Sequence, residues 1–209
     1  MKIAVVAANG KAGRLIVTEA MARGMEVTAV VRGENKTEAK SAIKKDVFSL
    51  TADDLAGFDA VVDALGAWTA DSVHTIYDAV KHLADILKGT ETRLVVVGGA
   101  GSLFVNTEHT KTVLDVTPFP EAALPVVRAH GKALEILRGI DDVKWTYISP
   151  AGDFQADGAR TGKYVLGGEE LVLNSKGEST ISYADYAIAL VDELAQGTHI
   201  KERISVVSE

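Results

Sequence analysis

The chain of 209 residues contains no cysteine, which excludes disulfides, thiolate metal sites and a cysteine nucleophile. Basic residues are also few: 22 lysines and arginines stand against 29 acidic residues, and the formal net charge is −7. Binding to a phosphate backbone depends on clustered lysine and arginine, so we expect no nucleic-acid partner. The histidines lack the spacing that would place two on adjacent turns of one helix, and we expect no bound metal.

Long apolar runs are absent as well. The first run, Ile3 to Ala8, is too short for the core of a signal peptide and ends at Asn9-Gly10. No other run approaches the length of a membrane span. We therefore expect a cytoplasmic protein without a membrane partner. The chain has only four prolines and no Pro-, Gly- or Ser-rich linker, which predicts one domain over residues 1–209.

Short apolar runs alternate with segments of helical period. The predicted strands are Lys2–Ala8, Glu26–Val31, Asp59–Leu65, Arg93–Gly98 and Lys144–Ser149, and the predicted helices are Ala12–Arg23, Ser72–Leu87 and Glu121–Gly139. Runs such as Ile3–Val6 and Leu94–Val97 are apolar at successive positions, which is typical of strands covered on both faces. The pattern predicts an α/β fold of the Rossmann type, a doubly wound parallel sheet with helices on both faces.

Two stretches are less regular. We expect an edge strand near Ala42–Lys45 and a capped helical turn at Thr51–Leu55. After Pro150 the βα rhythm stops, and Gly and polar residues dominate as far as Gly168. A helix then follows at Tyr183–Leu194, with Ser182 as its N-cap, and Arg203–Val207 is predicted to be the last strand.

The segment Lys2–Leu15 carries the clearest functional signal, because a buried strand leads through a turn of small residues directly into a helix. A pyrophosphate needs free backbone N–H groups at a helix N-terminus, and side chains at the turn would hold it away. Gly10 and Gly13 remove that obstacle, and Gly13 also lets the helix pack close to the strand. The segment therefore predicts a site for an NAD(P) dinucleotide.

The stretch Ala7-Ala8-Asn9-Gly10-Lys11-Ala12-Gly13 resembles the Gly-Ala-Thr-Gly-x-x-Gly turn of the atypical short-chain dehydrogenase/reductases. Ala7 replaces the first glycine, and alanine keeps the turn if its φ is negative. The predicted cofactor-binding residues of the turn are Ala7, Asn9, Gly10, Lys11, Ala12 and Gly13.

The second predicted strand is followed by Arg32, where an NAD-preferring Rossmann protein usually has a carboxylate. A guanidinium can bind the 2′-phosphate of NADP, so we expect NADPH to be favoured over NADH. Arg14 and Lys36 are candidate helpers. Glu34 opposes this reading, since it can meet a ribose hydroxyl or repel the phosphate.

The resemblance assigns further cofactor contacts by position. Asp46-Val47 matches the pair that flanks adenine, and Ala64-Leu65-Gly66 and Gly98-Gly99 match strand ends that line the cofactor. The alternative is that these are small residues which merely permit loops.

The family's catalytic system is a Ser/Tyr/Lys set with Tyr and Lys four residues apart on one helix. Lys132 matches the lysine, but Arg128 stands where the tyrosine would be, so the usual proton donor is missing. Ser102 falls where the family serine lies, or is a loop hydroxyl facing water. His130 can donate a proton if it faces the nicotinamide, or else it packs. The predicted catalytic residues are Ser102 and Lys132, with Lys132 also at the nicotinamide ribose.

The stretches Trp145–Phe154 and Arg160–Tyr164 resemble those of NAD(P)H-binding proteins related to biliverdin reductase B and the NmrA-like group, although Ser149 departs from the usual arginine before the proline. The resemblance places Pro150 and Ala151 at the cofactor and implies a small C-terminal part, from about residue 150, that covers the substrate. Some members reduce flavins, biliverdin or quinones, and others sense NADP(H) without turnover.

Two functions follow from these observations. The first is an NADPH-dependent reductase of a planar conjugated acceptor, with Trp68, Phe104 and Phe154 as candidate wall residues, or as core residues instead. The second is a non-catalytic NADP(H) sensor. An epimerase or dehydratase of nucleotide sugars is disfavoured by the missing tyrosine and the short chain.

Overall fold

A computed structural model describes all 209 residues of the chain. In chain order the elements are β1 (Lys2–Val6), α1 (Lys11–Ala22), β2 (Glu26–Val31), β3 (Ser41–Lys44), β4 (Ala60–Asp63), α2 (His74–Leu87), β5 (Arg93–Val97), α3 (Val113–Val116), α4 (Leu124–Arg138), β6 (Trp145–Ser149), β7 (Asp153–Gln155), β8 (Tyr164–Gly167), β9 (Thr180–Ser182), α5 (Tyr183–Gln196) and β10 (Glu202–Ser208). Single 3₁₀ turns lie at Val47–Ser49 and Asp53–Leu55.

One sheet of eight strands has the order β3-β2-β1-β4-β5-β6-β10-β8. All of its pairs are parallel except β10 with the edge strand β8. The chain begins at β1 in the middle of the sheet, builds outward through β2 and β3, and then returns to the other side of β1 with β4. This reversal confirms the predicted doubly wound fold and creates a crevice at the carboxyl ends of β1 and β4.

Helices cover both faces of the sheet. One core packs α1 and α5 against side chains such as Ile3 and Val5. The other packs α2 and α4 against the alternate side chains, among them Ala4 and Val6. Because successive residues of β1 enter different cores, the strand is apolar at every position after Lys2, as the sequence predicted.

Several local predictions are confirmed. The edge strand is present as β3, and the Ser182 side chain accepts a hydrogen bond from the Asp185 N–H at the start of α5. The helical turn expected near Thr51–Leu55 is present at Asp53–Leu55, and the Thr51 N–H and hydroxyl, just before it, both donate to the Asp54 carboxylate at 2.9 Å.

Other boundaries differ from the predictions. β1 ends at Val6 rather than Ala8 because Ala7 already turns into the left-handed region. α4 begins at Leu124 rather than Glu121, with Pro125 in its first turn, a position that suits a residue without an N–H. The sequence did not predict the short strands β7, β8 and β9, nor the single helical turn α3.

The segment between β7 and β8 is tied to the main body at two points. The buried Asp185 carboxylate accepts hydrogen bonds from the Thr161 N–H and hydroxyl and from the Gly162 N–H, at 2.7–3.1 Å. Arg160 pairs with Glu19 of α1 at 3.0 Å. These bonds give the Arg160-Thr161-Gly162 stretch a structural role, because they attach it to α1 and α5.

Candidate functional site

A cleft of about 1220 Å³ occupies the crevice at the carboxyl ends of the parallel strands. Many residues predicted to bind the cofactor line it: Ala7, Asn9, Gly10, Lys11, Ala12, Arg32, Asp46, Val47, Ala64, Leu65, Gly66 and Gly98. Other lining residues were not singled out by the sequence analysis, and they come from loops and from the first turns of α2 and α5: Phe48, Thr69, Ser72, Thr75, Ala156 and Tyr183. The predicted residues meet because parallel strands end at one edge of the sheet.

The start of α1 provides unpaired donors at the floor of the cleft. Gly10 is the N-cap, with φ −67° and no side-chain hydrogen bond to the first turn. The first N–H groups of a helix have no partner within it, and the helix dipole adds positive potential there. This arrangement suits an anion, and a Cβ at Gly10 would lie 3.2 Å from the Ala7 carbonyl oxygen.

Gly13 serves a different purpose. A Cβ built on Gly13 would lie 2.5 Å from the Ala7 carbonyl oxygen and 2.9 Å from the Ala8 Cα. Gly13 is buried and does not line the cleft. It therefore allows the close packing of α1 against the end of β1, which the sequence predicted as its second role.

Ala7 has φ +56°, in the left-handed region. The expectation of a negative φ at this position was wrong. The chain reverses direction between β1 and α1, and this turn needs a positive φ, which the glycine of the family pattern adopts easily. An L-residue pays about 1–2 kcal/mol in this conformation. The turn thus stores backbone strain next to the cleft.

Two cations stand free at the β2 end of the cleft. Arg32 and Lys36 are exposed, line the cleft and take part in no ion pair. Glu34 lines the same region. Arg14, the other candidate helper, lies outside the lining, and its Nε donates to the Asn9 carbonyl at 3.0 Å.

Asp46 and Lys45, which also line this end, are occupied by local partners. The Asp46 side chain caps the turn at Val47–Ser49 by accepting from the Phe48 N–H at 3.0 Å. The Lys45 ammonium binds Asp54 at 2.7 Å, and with the Thr51 hydrogen bonds it lowers the pKa of that carboxyl to about 2.

At the β5 end of the cleft, the backbone of Gly98 and Gly99 packs tightly against two side chains. A Cβ on Gly98 would lie 2.3 Å from the Tyr147 ring, and one on Gly99 would lie 2.8 Å from the His130 Cβ. Gly98 lines the cleft and Gly99 does not. A larger residue at either position would clash with Tyr147 or His130. Both glycines are therefore needed for packing, and do not merely permit a loop.

His130 lines this end of the cleft. Its Nδ1 is buried and has no hydrogen-bond partner. Burial lowers the pKa of the imidazole to about 4, so the ring is neutral near pH 7. A neutral imidazole offers a hydrogen bond to a ligand without adding charge.

The two predicted catalytic residues do not meet in the cleft. The Ser102 hydroxyl is buried without a partner outside the lining. Lys132 is exposed, and its ammonium lies 3.8 Å from the centroid of the Tyr77 ring on α2. Pro150 and Ala151 are buried behind the cleft and do not line it either. The roles given to these four residues stay predictions.

Aromatic side chains flank the outer part of the cleft. Phe154 and Tyr183 line it together, with ring centroids 4.0 Å apart. Trp68, on the loop after β4, also lines it and is 75% exposed. Phe104 does not reach the cleft, because its ring stacks on His109 with centroids 4.4 Å apart.

Asp63, at the end of β4, was missed by the sequence analysis. Its carboxyl is buried and accepts a hydrogen bond from the Leu65 N–H at 3.0 Å. Desolvation raises the pKa of this group to about 7, against the opposing effect of that hydrogen bond. The bond shapes the Ala64–Gly66 stretch, which lines the cleft.

These features together fit a dinucleotide. The α1 N-terminus and the side-chain-free Gly10 suit a pyrophosphate, and the free cations of Arg32 and Lys36 suit a further phosphate. Separately, none of the helices is both long and apolar enough to cross a membrane.

Known proteins resemble this chain over its full length. Residues 7–196 match the family described as NAD(P)H-binding. The crystal structure of a putative NADH-flavin reductase from Streptococcus pneumoniae TIGR4 is 53% identical, with 100% of both chains covered and a TM-score of 0.97. The uncharacterized protein YwnB of Bacillus subtilis (strain 168) is 47% identical over 212 residues, 100% of this chain and 99% of that protein.

A third relative bears on cellular location. The crystal structure of a putative exported protein from Burkholderia pseudomallei is 36% identical, with 99% of both chains covered and a TM-score of 0.87. The cytoplasmic location expected from the sequence stays a prediction.

Proposed function

Because the chain belongs to the NAD(P)H-binding family, we propose that it is an NADPH-dependent reductase of a flavin, a quinone or a similar planar conjugated acceptor. The observation that carries this proposal is the composition of the cleft. It runs from the phosphate-binding turn past Gly98 to an aromatic wall, and it contains no acid and base in contact with each other.

The Ser/Tyr/Lys set of the short-chain dehydrogenase/reductases is not assembled in the lining, and this favours one class of acceptor. His130 is neutral, and Ser102 and Lys132 lie outside the lining. A carbonyl substrate needs a proton as the hydride arrives, whereas a flavin or quinone accepts the hydride and is protonated from solvent. The second kind of acceptor asks of the protein only binding and orientation.

The nicotinamide ring supplies the hydride when the cofactor is bound, and the residues of this chain place it. Gly10 and the first turn of α1 would hold the pyrophosphate, and Gly98 would let the nicotinamide ring approach the end of β5 without a side chain between them. His130 offers a neutral hydrogen-bonding group beside it.

The aromatic residues supply the surface for the acceptor. Phe154 and Tyr183 form a continuous ring surface on the C-terminal part, and Trp68 stands exposed on another part of the lining. Planar conjugated molecules bind such surfaces through stacking and apolar burial. The description of the Streptococcus pneumoniae relative as a putative NADH-flavin reductase supports the same class of acceptor.

The preference for NADPH rests on Arg32 and Lys36. A guanidinium gains about 1.5–3 kcal/mol from a well-formed bond to a charged group, and it meets only hydroxyls in NADH. Glu34 works against the preference by repelling the same phosphate.

Steady-state oxidation of NADPH, with FMN, riboflavin and a benzoquinone as acceptors, tests the proposal. We expect turnover with at least one acceptor, and loss of turnover in Gly10→Val. The control is Gly168→Ala, because Gly168 lies away from the cleft and an added Cβ there meets no atom within 4 Å. NADPH binding without turnover of any acceptor would contradict a reductase and favour the NADP(H) sensor.

A further inference from the structure

One side chain joins the two phosphate-binding regions of the cleft. The Asn9 Nδ2 donates to the Glu34 carbonyl at 2.8 Å, and the Asn9 Oδ1 accepts from the Lys36 N–H at 2.8 Å. Asn9 belongs to the turn after β1, whereas Glu34 and Lys36 belong to the loop after β2. The carboxamide therefore bridges two loops through both of its ends.

Few other contacts fix the first part of the bridged loop, residues 32–36. Arg32, Gly33, Glu34 and Lys36 are exposed, and neither cation is held by an ion pair. The later part has its own amide, since Asn35 donates to the Ala39 carbonyl at 2.8 Å and accepts from the Thr37 N–H at 2.9 Å. The position of Arg32 and Lys36 relative to the turn thus depends on Asn9.

We infer that Asn9 is a positioning residue for cofactor selectivity: it holds the loop at Glu34–Lys36 against the pyrophosphate turn, so that Arg32 and Lys36 face the 2′-phosphate of NADPH. This inference rests on the proposed NADPH preference. It assigns the selectivity to a neutral amide as well as to the cations, because a charged bond is strong only when its geometry is fixed in advance.

The amide is chemically specific for this task. One end must donate to a carbonyl and the other must accept from an N–H, which a carboxamide does without charge. An alanine at position 9 leaves the turn backbone in place and removes only the bridge. The pyrophosphate contact, which NADPH and NADH share, is then kept, while the 2′-phosphate contact loses its preorganisation.

Calorimetric titration of wild type, Asn9→Ala and Asn35→Ala with NADP⁺ and NAD⁺ tests the inference. For Asn9→Ala we expect the Kd of NADP⁺ to rise about tenfold, or about 1.4 kcal/mol, the scale of two neutral hydrogen bonds. The Kd of NAD⁺ should rise no more than about threefold. Asn35→Ala, the matched control in the same loop, should keep the wild-type ratio of the two Kd values.

Amide hydrogen exchange of the free protein gives a second readout without cofactor. The Lys36 N–H should exchange faster in Asn9→Ala and at the wild-type rate in Asn35→Ala. An equal loss of affinity for both cofactors in Asn9→Ala, or an unchanged ratio, would overturn the inference alone. Equal affinities in the wild type would overturn the proposed NADPH preference, and the selectivity role of Asn9 with it.

Discussion

The hydroxyl of Tyr147 links two backbone segments at the inner end of the cleft. It donates to the His130 carbonyl at 2.9 Å and accepts from the Gly99 N–H at 3.0 Å. The ring is fully buried, and burial raises the pKa of the phenol. The end of β5 and the helix α4 are therefore held together by one neutral phenol.

Removing this hydroxyl should destabilise the protein. Tyr147→Phe leaves a buried N–H and a buried carbonyl without their shared partner, at a cost of about 1–3 kcal/mol. Urea unfolding should show this loss. The control is Tyr77→Phe, which should unfold like the wild type because the Tyr77 hydroxyl makes no hydrogen bond within the protein. Equal stabilities of wild type and Tyr147→Phe would show that the bridge contributes nothing.

The two glycines of the turn should separate binding from stability. Gly10→Ala adds a methyl group at the N-cap of α1, 3.2 Å from the Ala7 carbonyl oxygen, so NADPH affinity should fall at least about tenfold while the unfolding midpoint changes less than in Gly13→Ala. Gly13→Ala forces a methyl group into the backbone of Ala7 and Ala8, just after β1, and should lose both affinity and about 1–3 kcal/mol of stability. Titration with NADPH and thermal unfolding would check this, and a stable Gly13→Ala protein with wild-type affinity would refute it.

Strain at Ala7 predicts an unusual response to glycine. Ala7→Gly relieves about 1 kcal/mol of left-handed backbone strain and adds a similar entropy cost, so the unfolding free energy should stay within about 1 kcal/mol of wild type. Ala8→Gly, at a fully buried position without positive φ, should lower it by about 1 kcal/mol or more. Equal destabilisation by the two variants would mean that the packing of the Ala7 methyl group outweighs the strain.

The buried Asp63 should make stability fall as pH rises. Its pKa is raised from 3.8 to about 7 in the folded state, so between these values the folded chain keeps a proton that the unfolded chain has lost. The contribution of Asp63 to the unfolding free energy then falls with pH in this window and is constant above about pH 7, by linkage, whereas the lowered pKa of His130 contributes in the opposite direction below about pH 6.5. Asp63→Asn should remove this contribution. The change in unfolding free energy from about pH 5 to about pH 8 should therefore be more favourable in the variant than in the wild type.

Urea unfolding at the two pH values measures the effect, with Asp71→Asn, an exposed carboxylate, as the control. Parallel pH dependence of Asp63→Asn and wild type would place the titrating group elsewhere.

The charge of Arg32 should determine which cofactor binds more tightly. Arg32→Ala should weaken NADPH about tenfold or more and leave NADH nearly unchanged, because only NADPH carries a phosphate at the adenosine ribose. Arg128→Ala, an exposed arginine outside the lining, serves as the control for net charge. A mutant that keeps the wild-type preference would reduce Arg32 to a surface charge.

Much of the fold follows from local pattern. Strands such as β1 and β5 are buried on both faces and so are apolar at every position after Lys2 and Arg93, which makes them visible in the sequence. The edge strand β8 pairs with one neighbour only, and Val165 and Leu166 in it are about 40% exposed. Its composition gives no periodic signal, and the sequence analysis therefore missed it.

The cleft shows the same limit. Residues at strand ends, such as Arg32 and Gly98, were predictable because parallel topology alone brings strand ends together. Lys132 was placed by sequence position, but the rotation of α4 puts its ammonium over Tyr77 of α2, a contact that depends on helix packing. The meeting of Phe154 with Tyr183 depends on long-range packing, which no local pattern records.

The tie between Asp185 and the Thr161–Gly162 backbone has a consequence for protein engineering. The segment 152–163 contributes Phe154 and Ala156 to the cleft, and its attachment points, Asp185 and Glu19, lie in helices α5 and α1. A loop from a relative could replace residues 152–163. If it keeps the Arg-Thr-Gly stretch, it would form the same hydrogen bonds and ion pair with Asp185 and Glu19. Residues 152–163 are thus a segment that can be exchanged while β1, α1 and the turn between them stay unchanged.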